Sequence, residues 1–366
     1  MKWKAVACLA MALAWAGVAG AANEPAGQSA GKPPARPMSR GGALAAALGL
    51  APVAAPAPRP LADTIENRTV VALWDGDWDE VERLYAQARM DTQRSREGSY
   101  AACLFARGVT RKRAGEELAD FEAKVAKTRD WVRRRPESAL APAIHVEALL
   151  DLAWFYRGSG YANTVSEQRF EEFRAKLEEA FAYTSSHLDV MEKESFYTRP
   201  LLTLLRGLNV DAQRQMEVAR RAMRKEPGDE CIYLRVVESL LPKWGGSPEQ
   251  LEAWVRESMR GLPEAAALMR YARLYDNAAS SGYQQALFRS SLARWPLMRD
   301  GLRQILIESP DSRYWKNRLA YFSCMAQDRD IAIPALEAIE AEPDFNAWGS
   351  AGQRTYEACR RWSLQS

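Results

Sequence analysis

From Thr64 onward, apolar side chains recur every three to four residues, the spacing that gathers them on one face of an α-helix. Trp78, Val81, Leu84, Tyr85 and Ala88 form one such stripe. Phe121, Val125, Thr128 and Val132 form a second, and Phe170, Phe173, Leu177, Ala180 and Phe181 a third. A short helix is expected at Ile65–Trp74, then others at about 100–106 and 116–134, and the most apolar one at Ala141–Tyr156. The pattern continues at about 196–207, 212–225, 230–241, 248–260, 264–275, 283–294, 298–307, 313–326, 329–341 and 351–363. No stretch sustains a period of two, and no hairpin signal separates β-branched runs, so the expected fold class is all-α.

The polar punctuation is as informative as the stripes. In Leu240–Gln250, Pro242 stops a helix, Gly245-Gly246 turn the backbone, and Ser247-Pro248-Glu249-Gln250 begins the next helix as a capping box. Four helices end in a phrase built on proline: Arg135-Pro136-Glu137-Ser138, Glu226-Pro227-Gly228-Asp229, Ser309-Pro310-Asp311-Ser312 and Glu342-Pro343-Asp344. Pro310 and Pro343 are 33 residues apart, close to the ~34-residue period of tetratricopeptide repeats. Ala320, Ala332 and Leu336 fall near the small, small and large positions of that repeat. The earlier phrases, 91 and 83 residues apart, are poor multiples of it. The expected architecture is a degenerate tetratricopeptide-like helical-hairpin array, an α-solenoid.

The N-terminus reads differently. Lys2 and Lys4 precede the apolar run Ala5–Gly17 and the small-residue site Ala19-Gly20-Ala21, so residues 1–21 are expected to be a signal peptide. Residues 22–62, rich in Ala, Pro and Gly, read as a flexible spacer. Residues 63–280 then form a helical repeat region and 281–366 a C-terminal group of tetratricopeptide-like helices. Two lysines and no acids leave with the signal peptide, so the formal charge falls from +3 to +1. A balance this close to neutral argues against nucleic acid as partner. The expected location is periplasmic or secreted, and the mature chain is not expected to be an integral membrane protein. Cys103, Cys231, Cys324 and Cys359 lie far apart inside apolar helical patterns. With neighbouring helices ~8–10 Å apart, all four are expected to be free, buried thiols.

Candidate chemistry is sparse. His145 and His187 are the only histidines, and neither H-E-x-x-H nor Cys-x-x-Cys occurs, so no metal site and no cofactor are expected. Glu147 and Asp151, one helical turn apart near Trp154, are an acidic pair of the kind a glycan-cleaving enzyme uses. Two loops offer aromatic and cationic side chains beside glycines: Arg157 with Tyr161, and Lys243 with Trp244. If both loops open on one groove, these four residues form a binding site.

Trp154 with Arg157-Gly158-Ser159-Gly160-Tyr161-Ala162, and Leu241-Pro242-Lys243-Trp244-Gly245-Gly246-Ser247, together resemble an uncharacterised bacterial family of tetratricopeptide-like helices over about residues 64–280. The resemblance implies a helical repeat fold and supplies no activity. The expected function is an exported binding or scaffold protein for a protein or peptide partner. The alternative is a cell-envelope glycan-binding protein or hydrolase that uses the acidic residues near Trp154.

Overall fold

The computed structural model describes residues 60–91, 94–112, 115–158, 165–226, 229–339 and 341–364. The expected signal peptide, the spacer as far as residue 59, and Tyr161 lie outside the described residues. Within them every regular element is helical, and an isolated bridge between Arg94 and Tyr100 is the one strand-like pairing.

The first half holds α1 (Pro60–Asp75), α2 (Trp78–Met90), α3 (Ala101–Thr110), α4 (Leu118–Arg134), α5 (Leu140–Arg157), α6 (Glu167–Met191), α7 (Thr198–Gly207) and α8 (Ala212–Lys225). The second holds α9 (Glu230–Ser239), α10 (Pro248–Met259), α11 (Glu264–Ala278), the single turn α12 (Leu287–Ser290), α13 (Trp295–Glu308), α14 (Arg313–Met325), α15 (Arg329–Ile339) and α16 (Gly352–Leu364). The helix starts are set by local chemistry. Side chains of Asp77, Ser166, Asp211, Asp229, Ser247 and Ser312 each accept a backbone N–H of the first turn that would otherwise lack a partner. The proline phrases share one logic. Proline bars continuation of a helix, and the last residue of each phrase (Ser138, Asp229, Ser312, Asp344) accepts an N–H of the following element.

One expected helix is cut short. In place of a helix over 283–294 there is a tight turn and then α12. Ser291 Oγ donates to the Leu287 carbonyl at 2.7 Å and accepts the Ala293 N–H at 3.1 Å, so a side chain takes over groups that would extend the helix.

The helices pack in a row. Each odd-numbered helix from α1 to α13 contacts the next odd-numbered one, while α2, α4, α6, α8 and α10 flank them. Helix α5 sits inside this row against α3, α4, α6 and α7, so every residue from Leu140 to Leu150 is buried. That position explains its apolar character on all sides. Packing of α11 on α13 continues the row across residue 280.

The row is also closed by contacts distant in sequence. The α2–α3 loop reaches α9, where Arg94 meets Glu230 at 2.8 Å, and α13, where it meets Glu308 at 3.4 Å. Glu97 accepts the Ser312 hydroxyl at the start of α14, and its carbonyl accepts Trp315 Nε1–H at 2.9 Å. Added bulk at Gly98 would press on Arg273 Nη2 at 2.8 Å and Ser309 Oγ at 3.1 Å. Helices α9, α11, α13 and α14 therefore bend around one short loop.

The expectation of four free thiols is overturned. Cys103 in α3 is bonded to Cys231 in α9, and Cys324 in α14 to Cys359 in α16, with Cα separations of 5.5 and 5.8 Å. Helix spacing does not bar these bridges, because about 8–10 Å separates helix axes. Each Cα lies about 2.3 Å off its axis, so two that face each other come within about 4–5 Å, well inside the span of a disulfide. No helix among the described residues is long and apolar enough to cross a membrane.

His145 in α5 is enclosed between α4 and α6. Its Nδ1 lies 2.8 Å from Thr128 Oγ1 and its ring 4.6 Å edge-on from Tyr183. The Thr128 hydroxyl donates to the Lys124 carbonyl at 2.9 Å, so the tautomer that fits has Nδ1–H donating to Oγ1. Burial pushes the imidazole down from 6.5 to about 4. The folded chain thus keeps His145 neutral where the unfolded chain binds a proton, and stability falls as pH drops from about 6.5 towards 4. In urea unfolding, the loss between pH 7.5 and 4.5 is expected to be about 2–3 kcal/mol smaller in a His145→Gln variant than in the wild type.

Candidate binding site

The Leu240–Gln250 stretch folds as its residues dictate. Leu240 and Leu241 are fully buried, each contributing about 1.5–3 kcal/mol of apolar burial. Pro242–Trp244 form one 3₁₀ turn, and Gly245 takes a left-handed φ of 81°. At Gly246 a Cβ would lie 2.2 Å from the Leu240 carbonyl, so only glycine fits. Ser247 Oγ then accepts the Gln250 N–H at 3.2 Å to start α10.

This turn delivers the half-buried Trp244 against Trp154, in the last turn of α5, with ring centres 5.6 Å apart and edge to face. The two motif segments thus meet through their tryptophans. Beside the pair stands Arg206, at the end of α7 and 8% exposed, with Cζ 5.4 Å from the Trp244 ring and 5.9 Å from the Trp154 ring. Burial pushes its guanidinium down to about 10, opposed by Glu238 at 3.1 Å. A cation within about 6 Å of two aromatic rings is stabilised by their quadrupoles. The indole N–H groups of Trp154 and Trp244 and the Nε of Arg206 have no hydrogen-bond partner among the described residues. Arg206 carries no motif in the sequence. Its one signal is an arginine before glycine at the end of an apolar helix.

The other expected site residues have these neighbours. Arg157 lies over Phe170 at 5.4 Å, and exposed Lys243 is 6.0 Å from the Trp244 ring. Glu147 and Asp151 have different partners despite sharing α5. Glu147 is buried with Arg235 at 3.6 Å; burial drives its carboxyl pKa up, with Arg235 drawing it back. Asp151 pairs with Lys124 of α4 at 2.6 Å.

A separate concavity lies where the closure brings α2 beside α7 and α9. It is a cleft of about 380 Å³. Its floor carries Tyr85 and Phe196, with ring centres 5.9 Å apart, and the buried Phe105 packs against both at 5.3 and 5.8 Å. Met90 stands at the lip, 83% exposed. Both arginines that line it are paired: Arg89 with Glu194 and Glu226, and Arg199 with Asp229 at 3.1 Å. Burial pushes the Tyr85 hydroxyl up to about 12, which keeps the floor uncharged. The Cys103–Cys231 bridge stands beside this wall. Cys103, Cys231 and Asp229 are the group nearest to a metal-ligand set among the described residues. Their two sulfurs are bonded to each other, and Asp229 is engaged by Arg199 and the Cys231 N–H.

Comparison with protein-family models, with curated proteins and with solved structures finds no match to this chain.

The two glycines of the motif turn are expected to respond differently to alanine. Gly245→Ala meets no atom within 4 Å and bears only its left-handed φ, costing about 1–2 kcal/mol. Gly246→Ala drives a methyl into the Leu240 backbone and is expected to cost clearly more, about 3 kcal/mol. Denaturant midpoints of the two variants measure the order.

Proposed function

We propose that the chain is an exported, periplasmic or secreted, helical-repeat binding or scaffold protein for a protein or peptide partner, belonging with the tetratricopeptide-like family its two motif segments resemble. In this reading the cleft between α2, α7 and α9 takes a bulky apolar side chain of the partner. The observation that carries it is the pairing of every rim arginine above an aromatic floor. An apolar side chain can enter without leaving a buried charge unpartnered, the usual penalty of polar clefts. Met90 offers a flexible apolar lip that adapts to the incoming group. Two disulfides suit an oxidising compartment, which supports the export that the N-terminal sequence suggests. Next-but-one packing of the odd helices, with α14 and α15 as a hairpin, supports the repeat-array reading.

The hydrolase alternative is disfavoured, because Glu147 is buried beneath Arg235 and Asp151 is held by Lys124. A cell-envelope glycan as ligand is independent of those two acids.

A displayed-peptide selection on the mature protein tests the proposal. Enriched peptides are expected to share one bulky apolar residue. They are expected to bind Ala102→Trp, which fills the cleft, and Met90→Asp, which charges its lip, at least about tenfold more weakly, with unchanged melting of Met90→Asp. Peptides that bind all three proteins alike, or a selection that enriches none, would refute it.

A further inference from the structure

The C-terminal helices enclose a second cleft, of about 370 Å³, at the low end of the size range of small-ligand sites. Its chemistry differs from that of the first. Tyr321 and Trp348 form a buried floor, and the half-buried Phe288 and Trp362 form walls. Trp362 is held in place by Arg329, which lies 5.2 Å from the ring and donates to the Trp362 carbonyl at 3.1 Å. The Cys324–Cys359 bridge ties α14 to α16 across the base.

The polar rim is made of neutral amides and one cation. Gln285 and Gln327 are exposed, and Gln285 Nε2 is positioned by Thr355 Oγ1 at 3.0 Å. Among the described residues no carboxylate lines the cleft. Arg289, exposed at the edge, makes no ion pair and no hydrogen bond through its side chain among the described residues. The arginines around the first cleft are all paired, so this cation is available to a ligand.

We propose that this cleft binds an oligosaccharide that carries carboxylates on its sugars. A sugar ring presents a C–H face that stacks on an aromatic wall, here Trp362 or Phe288. Its hydroxyls both donate and accept, and each glutamine amide does the same. A sugar carboxylate completes a charge-assisted, two-point contact with Arg289. The same rim serves an extended peptide poorly, because the walls are helices whose backbone groups are already paired and offer no edge for main-chain pairing. The site is separate from the peptide cleft, and neither proposal depends on the other.

A glycan array that carries uronic-acid sugars, lactyl-ether acid sugars and neutral sugars, probed with the mature protein, tests this. Binding is expected to carboxylated glycans and to be weak or absent on their neutral counterparts. Titration of a bound fragment into Arg289→Gln is expected to show a loss of about tenfold or more with unchanged melting. Trp362→Ala is expected to abolish binding, and Met90→Asp to leave it untouched. No binding anywhere on the array, equal binding to neutral and acidic sugars, or full affinity in Arg289→Gln would each overturn the proposal.

Discussion

Glu230, at the first turn of α9 and 3% exposed, is the residue on which the rest of the structure turns. Arg94 from the α2–α3 loop reaches it at 2.8 Å, and Arg270 and Arg273 of α11 lie at 3.5 and 3.7 Å. Burial alone would raise the pKa of this carboxyl, but Arg273, Arg94 and Arg270 outweigh it and hold the group ionised below its ordinary value. Removing one member of such a group leaves buried charges without a counter-ion, at about 3–5 kcal/mol. Here a short loop ties the first third of the chain to the last, reinforced by the Cys103–Cys231 bridge across 128 residues.

The closure also makes the first cleft. It exists because α2 and α3 are drawn against α7 and the start of α9, and its rim charges are neutralised by the same kind of arginine–carboxylate pairing. The motif junction serves a related purpose. Arg206, packed against both Trp154 and Trp244, joins the end of α5 and the α9–α10 turn to α7, so the most distinctive stretch of the sequence has an architectural role. The C-terminal cleft departs from this rule, since Arg289 at its edge makes no ion pair among the described residues.

What was legible in the sequence was local. The stripes located most helices within a few residues, because caps such as Ser166, Ser247 and Ser312 and stops such as Pro242 act over one turn. The turn at Ser291 was missed because a side chain diverted the backbone bonds of an apolar segment. Everything that depends on distant partners was hidden. Arg206, Arg94 and Arg273 look like ordinary helix or loop arginines until the fold places aromatic rings and Glu230 beside them. The cysteines illustrate the same limit, since Cys103 and Cys231 become neighbours only through the closure. Trp244 and the acidic pair mark the boundary: the sequence identified the residues, and the fold assigned their partners.

The closure makes a claim about cooperativity that native-state hydrogen exchange tests directly. If the Glu230 cluster joins the two ends, the slowest amides of α3 and of α13–α14 should open with one common free energy in the wild type. In a Glu230→Ala variant with both disulfides intact, both sets should lose about 3–5 kcal/mol of protection together. Ends that open at unrelated free energies in the wild type, or a Glu230→Ala effect confined to α9, would contradict the account.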